Sequence, residues 1–68
     1  MTRAEQETRT EAERLTTQIN SALHAVAHPT RTDESELEAC AARLERAARD
    51  LAVALRELAR ERHRKGDE

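Results

Sequence analysis

Tryptophan, tyrosine and phenylalanine are absent from this chain, and glycine, proline and cysteine occur once each. Without aromatic rings there is no platform on which nucleic-acid bases could stack. With Pro29 and Gly66 as the only breakers, few and long helices are expected. The lone Cys40 leaves no second cysteine for an intrachain disulfide or a redox pair. Gly66 also lies too near the end to serve in a phosphate-binding glycine loop. No apolar run approaches the roughly 20 residues that would span a bilayer. Met1-Thr2-Arg3 leads into acids rather than an apolar segment, so no signal peptide is expected. The expectation is a soluble, cytoplasmic protein with no membrane partner.

What is present is helix-forming. Charged residues make up 38% of the 68 residues, and alanine, glutamate, arginine and leucine, all strong helix formers, dominate the composition. A chain this short makes one domain at most and buries too little apolar surface to be stable alone, so a second copy or a partner is expected. Disorder would be the alternative for so charged a composition, but a sustained apolar stripe runs through both halves.

That stripe is clearest from Leu37 to Leu58. Leu37, Leu44, Leu51 and Leu58 recur every seven residues, and Ala41, Ala48 and Leu55 sit four residues after the first three. This alternation is the a/d seam of a coiled coil. Cys40, Ala47 and Ala54 fall at the adjoining g positions and Ala52 and Ala59 at e, so the apolar arc is wider than one partner helix covers. Alanine at Ala41 and Ala48 lets another backbone approach closely. Val53 falls opposite the seam, as a tolerated exposed residue or a second contact.

The first helix has a weaker stripe of Ala12, Leu15, Ile19, Ala22 and Val26, widened by Leu23. Thr2 with Glu5 fits a capping box that starts it near residue 2. His28-Pro29 ends it at about residue 27, because proline disfavours helical geometry in the residue before it. Residues 28–32 supply a turn. Asp33 with Glu36 is a second capping box, with Ser35 and Glu38 competing two residues later, and the second helix runs to about residue 64 before a polar tail over 65–68. A connection this short makes the helices antiparallel, with Ala27 across from Asp33 and Arg3 near Glu57. The fold class expected is therefore an all-α, coiled-coil-like hairpin. Two such hairpins related by a two-fold axis would form a four-helix bundle.

Charge is graded along the second helix. Between Asp33 and Asp50 six acids outweigh three arginines, a net of -3, and between Leu51 and Lys65 five bases outweigh two acids, a net of +3. The helix macrodipole favours that order. The basic end, Arg56, Arg60, Arg62, Arg64 and Lys65 with His63, is a candidate contact for phosphates or nucleic acid. Glu57 and Glu61 interrupt it, and Asp67 and Glu68 follow it.

Other chemistry finds little support. His24 and His28, four residues apart, are the right spacing to chelate a metal, but both fall on solvent-facing positions. Cys40 on the facing helix would make an incomplete third ligand. Ser21 with His24 has no buried carboxylate to orient the imidazole. Cys40 stands among acids, which oppose a thiolate, and reads better as a small core residue. No enzyme, metal or cofactor is expected.

Ala25 to Arg31 reads AVAHPTR, which resembles the A-H-P-x-R segment at a helix junction of ArsR-type winged-helix repressors. The resemblance covers seven of 68 residues. It stops where that family continues with aliphatic residues and this chain with Thr32, Asp33, Glu34 and Ser35. No wing or recognition helix accompanies it, so it is treated as a coincidence and implies no function.

The function expected is non-enzymatic: a protein–protein interaction or oligomerisation module, a small scaffold, adaptor or regulatory subunit. Its expected interface is Leu15, Ile19, Leu23, Val26, Leu37, Ala41, Leu44, Ala48, Leu51, Leu55 and Leu58, and its expected partner a second copy or another protein. The alternatives are a small nucleic-acid-associated regulator using the basic end, and an antitoxin-like or carrier-associated subunit that folds on its partner.

Overall fold

The computed structural model describes residues 2–28 and 33–66. They form two helices, α1 (Arg3–Ala27) and α2 (Glu34–Gly66), packed as an antiparallel all-α hairpin 57 Å long and only 17 × 13 Å across. Among the described residues there is no strand.

Local chemistry sets both starts. The Glu5 amide donates to Thr2 Oγ1 at 3.2 Å, and the Thr2 hydroxyl donates to Glu5 Oε1 at 3.1 Å, so one of the orphan amides of the first turn is satisfied by the cap. At the start of α2 the Glu36 amide donates to Asp33 Oδ1 at 2.8 Å, which settles the competition between Asp33 and Ser35 in favour of Asp33. The end of α1 is closed by the His28 amide donating to the His24 carbonyl at 3.1 Å. Of the turn expected over residues 28–32, all but His28 lies outside the described residues.

At its far end α2 runs through Lys65 and Gly66, where the sequence suggested a tail. His63, Arg64 and Lys65 in that last turn are the cations a helix C-terminus favours. The Lys65–Glu61 pair at 3.6 Å ties the turn to the one before it.

Two polar cross-links fix the register. Thr8 Oγ1 approaches the Ala54 carbonyl at 3.3 Å while also lying 2.9 Å from the Ala4 carbonyl, so one hydroxyl proton is shared between the helices. Arg43 Nε donates to Gln18 Oε1 at 3.4 Å. The expected alignment of Arg3 with Glu57 is close to this, since both line one groove with Ala4, Glu7, Glu61 and Arg64.

The line along which the helices meet differs from the leucine seam. The buried residues are Cys40, Ala47 and Ala54, one heptad apart, while Leu44, Leu51 and Leu58 are half-buried beside them. From α1 the half-buried series Ala4, Thr8, Glu11, Leu15, Gln18, Ala22 and Ala25 faces them. The contact is thus rotated from the a/d positions of α2 towards g. The reason is in α1: its facing line carries small and polar side chains, which fit against alanine and cysteine. Leucines brought to that line would lie on Thr8, Glu11 and Gln18. Glu11 shows the strain of the arrangement. Its Oε1 accepts from Arg14 Nη1 at 3.1 Å, but Oε2 is shut away from solvent with no hydrogen-bond partner among the described residues. An acceptor left in that state costs about 1–3 kcal/mol.

Candidate interaction face

The two sides of the hairpin differ in chemistry. On one side a shallow groove between the helices is lined at its middle by Glu11, Arg14, Gln18, Arg43, Arg46 and Asp50. It continues past Ser21, His24, Glu36 and Cys40 at the end where the helices connect. At the other end it passes Glu7, Val53 and Glu57. Ala25, Ala39, Ala47 and Ala54 also line it, and apart from these, Cys40 and Val53 its lining is polar or charged.

The other side is apolar. Residues on a helix advance by about 100° each, so those displaced from the contact line away from the groove are Ala12, Leu15, Ile19, Leu23 and Val26 on α1 and Leu37, Ala41, Leu44, Ala48, Leu51, Leu55 and Leu58 on α2. Leu15, Leu44, Leu51 and Leu58 are half-buried by the hairpin. Ala41 and Ala48 are exposed. The larger side chains stand well clear: Val26 is 75% exposed, Leu23 63%, Leu55 49%, Leu37 48% and Ile19 45%. Full burial of side chains of that size is worth about 1.5–3 kcal/mol each, and roughly half or more of that is unrealised here. Continuous apolar exposure of this kind over two helices is consistent with a protein-interaction surface. Val53 is 52% exposed but lies on the groove side, away from this face.

The sequence missed Thr8, Glu11 and Gln18 as contact residues. Apolar periodicity cannot find them, and only the unbroken four-three spacing from Ala4 to Ala25 does, once residue chemistry is set aside.

The basic end is partly neutralised within α2. Arg60 pairs with Glu57 and Lys65 with Glu61. Arg56, Arg62 and Arg64 are exposed and make no ion pair among the described residues. Ala59, Arg60, His63 and Arg64 together border a small open patch there.

His24 and His28 are exposed, with ring centroids 4.4 Å apart and planes tilted by 50°. Cys40 is a free thiol buried at the seam, beside His24 in the groove lining. No group of three or more histidine, cysteine or acidic residues among the described residues is arranged to hold a metal ion. No helix among them is long and apolar enough to cross a membrane.

Comparison with protein-family models, with curated proteins and with solved structures finds no match to this chain.

Proposed function

We propose that this chain is a non-enzymatic oligomerisation and protein–protein interaction module, a small scaffold, adaptor or regulatory subunit whose apolar face is closed by a second copy in a four-helix bundle. The observation that carries this is the run of exposed Ile19, Leu23, Val26, Leu37 and Leu55 on one side of the hairpin. Surface area supports it. The hairpin exposes 5613 Å², whereas a compact monomer of its 7.7 kDa would expose about 4,300 Å². Bringing two copies to the compactness of one globular protein would remove about 2,000 Å² from each. That total lies in the range of obligate homodimers. The buried free thiol of Cys40 fits a reducing, cytoplasmic setting.

Sedimentation equilibrium, with circular dichroism on the same sample, tests the reading. A strongly helical dimer that loses helicity as it dissociates is the expected result. A helical monomer that stays folded on dilution overturns it. A monomer of low helicity moves the chain to the class of subunits that fold on a different protein.

The exposed Arg56, Arg62 and Arg64, which make no ion pair among the described residues, favour one second reading, contact with phosphates at the basic end. It requires retention on heparin that falls steeply with salt, because phosphate contacts release counterions. Retention unaffected by salt, or no retention, removes it.

A further inference from the structure

We infer that the second copy docks with its α2 antiparallel to this chain's α2, about a two-fold axis that passes beside Ala47 and runs across the helices rather than along them. The inference rests on the homodimer proposed above and adds the arrangement of the copies. Four charges carry it. Glu38, Glu45, Arg49 and Arg56 lie along the edge of α2 that points away from α1, next to the apolar face. All four are exposed, and none makes an ion pair within the chain among the described residues. Glu38 and Arg56 are equally far in sequence from position 47, and so are Glu45 and Arg49. Laid antiparallel about that position, each glutamate comes level with an arginine of the second copy, and the symmetry repeats both pairs.

The apolar residues share nearly the same centre. Leu44 comes level with Leu51 of the second copy and Leu37 with Leu58, while the exposed Ala48 lets the backbones approach near the middle. The graded charge of α2 agrees. Its acidic start, net -3 from Asp33 to Asp50, overlies a basic end of net +3 from Leu51 to Lys65.

A two-fold axis along the helices would do the opposite. It sets both acidic starts of α2 together at one end and both basic ends together at the other. Like charges so placed oppose association.

The two arrangements separate the ends of α2 differently, and a distance measurement decides between them. Ser35 is exposed at the start of α2 on the groove side. A spin label on Ser35→Cys in a Cys40→Ser chain, or Cys40→Ala should serine lower the helicity, reports the distance between copies by dipolar electron paramagnetic resonance. The antiparallel arrangement predicts about 36 Å or more, from the 1.5 Å rise per residue. Copies with their starts at the same end would lie within about 20 Å, given the usual spacing of packed helices. Sedimentation on the labelled sample separates the two possible failures. A short distance in a dimer overturns this arrangement and leaves the interaction module standing. A monomer overturns both.

Discussion

The closed seam of the hairpin is built from alanine and cysteine against alanine, threonine, glutamate, glutamine and one leucine, Leu15, whereas its open face holds leucine, isoleucine and valine. In most small proteins the largest apolar side chains go to the interior and the small ones fill gaps. Here the most deeply buried residues are those with little transfer free energy, while Leu44, Leu51 and Leu58 are only half-buried and Ile19, Leu23, Val26, Leu37 and Leu55 are left outside. The seam decides which faces of the two helices lie together. In the proposed dimer the open face would supply most of the free energy of assembly, because its large side chains are covered only there.

This contrast is broken most severely on the open side. Leu51→Ala should destabilise the assembly by on the order of 2–5 kcal/mol if the side chain is in the core of a dimer. A loss well under 1 kcal/mol in chemical denaturation would mean that the face is never covered. The seam answers to the opposite change. Ala47→Leu places a large side chain where Cys40, Ala47 and Ala54 allow none, and overpacking of that kind costs typically about 1–3 kcal/mol. If thermal unfolding shows instead that it stabilises the protein, the leucine stripe and the alanine stripe have exchanged roles.

Cys40→Ser keeps the volume of the seam and gives the hydroxyl a helical carbonyl to bond, so helicity should be nearly intact by circular dichroism. A loss of function with the fold preserved would point to chemistry at the thiol. Smallest of all, Val53→Ser on the groove side should change stability by no more than about 0.5 kcal/mol. It should leave the molar mass in solution unchanged. A drop in that mass would mean that the groove side also takes part in assembly.

The helices were legible in the sequence because their starts and stops are local events. Thr2 and Asp33 cap through atoms within three residues of them, and Pro29 acts on its neighbour. The antiparallel register was legible to within about two residues, because the short connection leaves little freedom. The line of contact was not. Two stripes on α2, one leucine and one alanine, share the same seven-residue period, and period alone cannot say which of them the other helix takes. The choice belongs to Thr8, Glu11 and Gln18 on α1, whose polar character hides them from any search for apolar spacing. The end of α2 was misjudged for a related reason. Gly66 is a weak helix former, but in the last turn it interrupts nothing, and the cations before it favour the two further residues.

A seam of near-identical small residues has one more property: it repeats along its own axis. Sliding α1 past α2 by one heptad, about 10 Å, would set it against alanine or cysteine much as before. What resists such a slide is the shared proton between Thr8 and Ala54, the contact of Arg43 with Gln18, and the reach of residues 28–33 between the helices. Like a vernier, the hairpin takes its setting from its stop. Lengthening that connection by a few residues would open whole-heptad alternatives, and each would present the apolar face with a different offset.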